Sequence, residues 1–346
     1  MSQPGFFDLD ERHASLDKFG DPLVALKARI PWEDFRPIVA TIHDKPRQSN
    51  AGRKPLDPVM MFKVLILQSL YNVADEQIEY QIRDRLSFMR FLDLSLEDSV
   101  PDARTVWSYR QQLTEHGLLE PLFERFNAYL VEQGYQAKKG QIVDASIVPV
   151  PKQRNTRTEN AAIKAGEEPE GWADQPAKRR QKDTDARWTK KHGQSHYGYK
   201  NHLSVDRKHK LIRVFAVSDA AVHDSQMLDQ VLDEANTGAG VWADSAYRSA
   251  DTEQWLNAGD FHSQIHHKGK RGHALSEAKQ RVNKTRSKVR ALVEHVFGFQ
   301  ENSMGGKYIR TIGMARARTK IGLMNLTYNM KRYIHLQARQ AVPIAV

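Results

Sequence analysis

The sequence predicts a mixed α/β domain, a mixed sheet flanked by helices, preceded by an all-helical domain. Three observations predict it. Apolar residues recur at helical spacing through about the first 135 positions. The pattern changes abruptly at Gly140, where Gln141-Ile-Val-Asp-Ala-Ser-Ile-Val148 begins a β-branched run typical of a buried strand. Beyond Tyr197, strand-like and helix-like segments alternate. Two domains are therefore expected, residues 1–135 and 136–346, the second interrupted by a basic, mobile insertion at about 151–196.

Taken in order, residues 1–45 read as short helices anchored by Phe6, Phe7, Leu9, Leu23, Leu26, Trp32 and Phe35, and Asn50–Lys54 as a basic connector. Asp57-Pro58 is an N-cap followed by proline at the first helical position, opening a helix to Tyr71. A second helix follows Asp75, with Ile78, Ile82, Leu86 and Met89 on one stripe. A third runs from Pro101-Asp102 to Leu113, and a fourth from Leu118 to Glu132, closed near Gly134. Residues 151–200 carry 12 Lys+Arg against 7 Asp+Glu, little aliphatic periodicity and repeated Pro and Gly breaks, which reads as a long loop. Strands at Tyr197–Val205 and Leu211–Val217 follow, then a helix Asp224–Ala235 and a strand Gly240–Ala243. A helix Asp251–Ala258, a strand Phe261–His266, a long helix Ser276–Phe299 and a last helix near Arg316–Leu336 complete the chain.

Composition narrows the function classes. The absence of cysteine excludes disulfide scaffolds, thiolate zinc sites and cysteine nucleophiles. A chain this basic, net charge +10 and pI about 9.5, favours a polyanionic partner. The longest apolar stretch, Val59–Tyr71, is broken by Lys63 and Gln68 and is too short to span a bilayer. The N-terminus lacks the basic start and apolar run of a signal peptide, so a cytoplasmic location and no membrane partner are expected.

Three acids stand where regular elements end or are covered. Asp144 lies inside the first strand, on the face of Ile142 and Ser146, where an unpaired carboxylate is costly. Asp244 follows Val241-Trp-Ala243 at the C-terminal end of its strand, where ligands gather in open α/β sheets. On the long helix, at about 100° per residue, Val289, Leu292, Val293, Val296 and Phe297 form the buried stripe. Arg290 and Glu294 flank that stripe at about 100° and 140° from Val289. Two aspartates on strands and a glutamate on a covering helix can converge as hard oxygen donors, suited to Mg²⁺ or Mn²⁺. Each acid alone has an ordinary structural reading too, as a cap, a turn opening or an i, i+4 partner of Arg290.

The stretches Ile142-Val-Asp144-Ala-Ser, Gly240-Val-Trp-Ala-Asp244-Ser-Ala-Tyr and Arg290-Ala-Leu-Val-Glu294-His-Val-Phe-Gly298 resemble a DDE transposase of bacterial insertion sequences, in the insertion sequence 5 family. Tyr199-Lys-Asn-His202, Lys320–Asn329 and the helical stretch Leu56–Leu113 extend the resemblance over nearly the whole chain. It implies an RNase H-like core with Asp144, Asp244 and Glu294 as the catalytic acids, holding two ions of Mg²⁺ or Mn²⁺. In that scheme Asp144 bridges both ions, and Asp244 and Glu294 each hold one. It also implies cleavage at transposon ends and strand transfer, terminal inverted repeats and target DNA as partners, a homodimer pairing two ends, and work at the bacterial nucleoid. The family's helix motif is Tyr, two residues, Arg, three residues, Glu, six residues, Lys; Arg290 and Glu294 match, whereas Ser287 and Glu301 replace the Tyr and Lys. Two further readings compete: a metal-dependent nuclease on the same fold without strand transfer, and a domesticated DNA-binding protein, which broken acids would favour; here all three acids are intact.

Residues 267–290 carry nine cations, Lys268, Lys270, Arg271, Lys279, Arg281, Lys284, Arg286, Lys288 and Arg290, against Glu277 alone. A solvated helix face normally alternates signs, so this run is expected to meet phosphates. Lys200 is expected near the acids, and Arg104, Ser108 and Arg110 on a helix after a turn are expected to reach a DNA groove. In the insertion, Lys178, Arg179, Arg180, Lys182, Arg187, Lys190 and Lys191 surround Trp188, a mixture suited to unpaired bases or equally to a charged loop. His262, His266, His267 and His273 do not make a zinc set without cysteine.

Overall fold

The computed structural model describes residues 7–43, 55–191, 193–269 and 273–341. The expected anchor Phe6 and the connector Asn50–Lys54 lie outside the described residues. The chain divides into two compact units, Met1–Gly134 with Leu326–Val346, and Tyr135–Asn325. No helix among the described residues is long and apolar enough to cross a membrane.

The first unit is helical: α1 (Asp8–Lys18), α2 (Pro22–Arg29), α3 (Arg36–Val39), α4 (Pro58–Tyr71), α5 (Asp75–Asp84), α6 (Leu86–Leu92), α7 (Ala103–Glu115) and α8 (Leu119–Glu132). The Asp57 carboxylate accepts from Met60 N at 2.8 Å and Pro58 fills the first position of α4, as the sequence predicts. Every residue from Val59 to Leu70 is buried, so α4 is a central helix enclosed on all sides. Its Lys63 is accommodated by Asp93, 2.8 Å from Nζ, and by the Trp32 and Phe91 rings. The stripe expected as one helix after Asp75 is divided at Arg85, whose extended backbone separates α5 from α6.

The second unit holds β1 (Gln141–Pro149), α9 (Arg157–Ala165), α10 (Pro176–Arg180), β2 (Arg187–Lys191), β3 (Gln194–Asp206) and β4 (Ile212–Asp219). It continues through α11 (Leu228–Val231), β5 (Gly240–Trp242), α12 (Ala250–Ala258), β6 (His262–Ser263) and α13 (Glu277–Gly298). The last helix, α14 (Met314–Ala341), begins here and ends in the first unit. The sheet order is β2-β3-β1-β5-β6, with β4 also paired to β3. β1 runs antiparallel to β3 and parallel to β5, and β5 is parallel to β6, which makes the mixed sheet the sequence predicts. Helix α13 packs on β1 and β5.

Four further differences from the sequence reading are seen. The last helix was expected wholly within 136–346, yet its residues from Leu326 belong to the helical unit. There Tyr333 meets the rings of Phe126 and Tyr129 edge-on, at 6.3 and 5.6 Å between centroids. The helix expected at Asp224–Ala235 is only a 3₁₀ turn followed by α11. The Gln141 side chain takes over the backbone at its end, accepting from Asp233 N at 2.8 Å and donating to Asp233 O at 3.0 Å. β2 is an edge strand absent from the expected elements.

The fourth difference concerns the segment expected to be a mobile loop, which is folded. Thr156 and Glu159 form a reciprocal capping box at the start of α9. Trp172, 1% exposed, donates to Glu159 Oε1 at 2.7 Å, with Lys178 and Lys182 over its ring. The buried Asp183 accepts from Tyr199 Oη at 2.8 Å, tying the segment to β3. One tryptophan and a few polar pins replace the apolar stripe that periodicity detects.

Trp172→Ala should cost about 3 kcal/mol locally. Limited trypsin digestion should then cut the wild-type-resistant basic sites between 157 and 187 much faster, while β1 and α13 remain protected.

Candidate active site

Gly140, at φ +92°, lets β1 enter close against β5: a Cβ there would collide with Gly240 O and the Trp242 ring. The parallel register pairs Gln141 with Val241 and Ile142 with Trp242. Two residues beyond that ladder in each segment come Asp144, still on β1, and Asp244, just past the end of β5, close enough for their charges to interact. Asp144 is held by β1, its Oδ1 accepting from Ala145 N at 2.8 Å. Asp244 leaves β5 and caps the 3₁₀ turn Ser245–Tyr247, its Oδ1 accepting from Ala246 N at 2.7 Å.

α13 brings Arg290 and Glu294 to this pair. Arg290 Nη1 donates to Asp144 Oδ2 at 2.6 Å, and Nη2 lies 3.5 Å from Glu294 Oε1. The Glu294 side chain is 64% exposed against 15% for Asp144. The structure therefore brings Asp144 and Asp244 together and links Glu294 to them through Arg290. Among the described residues, no three acidic or histidine side chains are arranged to hold a metal.

Burial pushes the Asp144 carboxyl above the usual range, against the pull of Arg290; the nearby Asp244 charge adds to the rise, and Lys191 opposes it. Two neighbouring carboxylates, one of them enclosed in a central strand, are hard oxygen donors of the kind that fits a divalent cation. Tyr247, three residues after Asp244, has a buried hydroxyl without a hydrogen-bond partner. Burial and the charges of Asp224, Asp144 and Asp244 push it well above the ordinary tyrosine value. The sequence signal for Tyr247 is slight, a tyrosine three residues after a strand-end aspartate.

The cations separate into two groups. Arg281, Lys284 and Lys288 are exposed along α13, Arg281 with Glu277 at 3.5 Å. Arg286 instead turns inward to Gln264 Oε1 and Ile265 O, and Arg290 to the acids, so neither is an open phosphate contact in this structure. Lys270 and Arg271 lie outside the described residues. Lys200 is near the acids in sequence expectation, but its Nζ is taken by Val222 O and Asp224, at 2.7 and 2.8 Å. His202 is buried with Ser218, and burial lowers its pKa to about 4, so it is neutral at pH 7.

On α7, Arg104 is exposed, whereas Arg110 forks onto Asp75 and reaches Gln68 at 3.2 Å. Arg110, expected at a DNA groove, is an internal brace between α5 and α7 in this structure. In the insertion, Lys178 and Arg179 pair with Glu159 and Glu168, and Arg187 caps backbone carbonyls. Trp188 stays 45% exposed beside Tyr197, with Lys152 over its ring.

Two family profiles match this chain: a transposase DDE domain over residues 135–330 and a transposase domain over residues 10–112. Among solved structures, it is similar to the piggyBac transposase in a synaptic complex with hairpin DNA. That likeness has 11% identity and a TM-score of 0.46, over 94% of this chain and 77% of that one. The DDE profile spans more than half of the chain, which therefore belongs to the transposase DDE-domain family, a class of divalent-metal-dependent enzymes that cleave DNA and transfer strands.

Two outcomes follow from the charges. Because the folded Asp144 binds its proton more tightly than the unfolded chain does, stability falls as pH rises from the ordinary carboxyl value through the raised one. Asp144→Asn should thus raise the thermal midpoint at pH 7 by a few degrees, and the gain should vanish near pH 3, where the wild-type carboxyl is protonated. In urea titrations, Arg110→Ala should lose about 1–3 kcal/mol, and Arg104→Ala no more than about 0.5 kcal/mol.

Proposed function

We propose that this transposase cleaves DNA at the ends of its own element and joins them to target DNA, with Asp144, Asp244 and Glu294 as its metal-holding acids. The observation that carries the reading is the approach of Asp144, on β1, to Asp244, just past the end of the parallel neighbour β5, beneath a helix that carries Glu294. Mg²⁺ or Mn²⁺ held as a pair by these carboxylates would stabilise both the attacking and the leaving oxygen of the phosphodiester. Asp144, the most enclosed of the three, is the candidate bridging ligand, with Asp244 and Glu294 holding one ion each.

The chain's own residues supply the rest. Strand β1 fixes Asp144 and the 3₁₀ turn fixes Asp244, so two of the three acids are pre-positioned and only Glu294 must swing inward. Hydrolysis and strand transfer both use an external hydroxyl, water or a DNA 3′-OH, so no covalent enzyme intermediate is needed. Arg281, Lys284 and Lys288 offer an exposed cationic face for double-stranded DNA, terminal repeats and target alike. Arg104 extends the candidate contacts in the helical unit. Pairing two ends calls for two copies, most simply a homodimer, acting at the nucleoid.

The test uses DNA flanking the protein's own coding sequence, end-labelled on both strands, with Mg²⁺ or Mn²⁺ and a plasmid target. Wild type should nick at a discrete terminal position and give joined product. Asp144→Asn, Asp244→Ala and Glu294→Ala should each lower cleavage by about 10³-fold or more while still binding the DNA. Full cleavage by any of the three would remove that residue from the acid set, and cleavage without joining would favour a nuclease.

A further inference from the structure

Arg290 holds two of the proposed metal ligands at once. Its Nη1 donates to Asp144 Oδ2 at 2.6 Å and its Nη2 faces Glu294 Oε1 at 3.5 Å, while its Nε is buried without a partner. The other inward arginine of α13, Arg286, is bound to a side-chain amide and a backbone carbonyl, uncharged groups unaffected by a cation at the acids. Arg290 is bound only through carboxylates, so whatever occupies those carboxylates acts on it directly. A hard cation and a guanidinium cannot share Asp144 Oδ2 without strong repulsion.

We infer that Arg290 is a positioning residue that competes with the divalent cation for Asp144 and, once displaced, turns its guanidinium to a DNA phosphate, so that metal and DNA load together. The inference rests on the reading of Asp144 as a metal ligand given above. Displacement alone would strand a charge that is 25% exposed and has lost its counter-ions. A phosphate restores them, and the planar fork of arginine suits it with two parallel hydrogen bonds. Each ligand thus favours the released form of Arg290, and by linkage each must raise the affinity for the other by the same factor. Release also frees Glu294, whose carboxylate in this structure is held by the same guanidinium.

The experiment measures Mn²⁺ binding to the full chain by electron paramagnetic resonance, with and without a short duplex, in conditions where no turnover is scored. Arg290→Gln keeps a hydrogen-bond donor and removes the charge. It should bind Mn²⁺ about tenfold more tightly than wild type without DNA. Wild type should gain a similar factor when the duplex is added, and Arg290→Gln should gain little. If Arg290→Gln does not fold, Arg290→Lys, a point charge that cannot bridge both acids, should shift the affinity in the same direction by a smaller factor. Equal Mn²⁺ affinity in wild type and variant, or an equal gain on adding DNA, overturns the inference and leaves the metal site standing. Absence of Mn²⁺ binding in both, with Asp144→Asn indistinguishable from them, overturns the metal reading together with it.

Discussion

A carboxylate placed inside a central strand is the constraint around which the catalytic unit is arranged. Asp144 sits between Val143 and Ala145, both buried, on a strand flanked by β3 and β5, where an unpaired charge would be several kcal/mol unfavourable. The fold meets that cost in three ways: an amide from the next residue, a guanidinium from α13, and a site at the end of the β1–β5 ladder, beside the exit of β5. Asp244 works against all three, because a second negative charge beside the first raises the cost again. A cation shared by the two carboxylates, as proposed above, would offset that cost. In the proposed reading, the position that costs the fold most is also the one that serves the reaction, a common trade between stability and function.

The chain's positive charge is less available than its net value suggests. Lysines and arginines brace carboxylates throughout: Arg110 on Asp75, Arg90 on Asp17 and Asp21, Lys200 on Asp224, and Arg213 on the buried Asp206. Among the described residues, exposed cations recur along one face of α13, at Arg281, Lys284 and Lys288, and Lys191 on β2 is exposed where its charge reaches Asp144. A short cationic ridge of that kind gives register along a backbone, whereas a diffuse surplus would give only non-specific attraction.

The fold class and the acids could be read from the sequence because their signals are local and periodic. The β-branched run around Asp144, the Asp57-Pro58 helix start and the apolar stripe of α13 each declare themselves within a few residues. What could not be read depends on partners far apart in sequence. Nothing near Arg290 indicates that it turns to a residue 146 positions earlier, and nothing near Arg110 points to Asp75. The insertion hid its order because Trp172, Asp183 and the Thr156–Glu159 cap stabilise it with single contacts and no repeat. The early end of α11 is hidden for the same reason, since the side chain that takes the backbone there, Gln141, lies on β1, 92 positions away.

Gly140 and the two residue pairs that follow it define how the first and second acids meet, and they do so within a few residues of each. The hundred positions separating Asp144 from Asp244 in the chain are therefore geometrically irrelevant to their meeting. Lengthening such an excursion adds only a slowly growing loop-closure entropy. The segment between β1 and β2 is thus a place where the chain can lengthen or shorten without moving Asp144 away from Asp244, so what that segment touches is free to change apart from the acids.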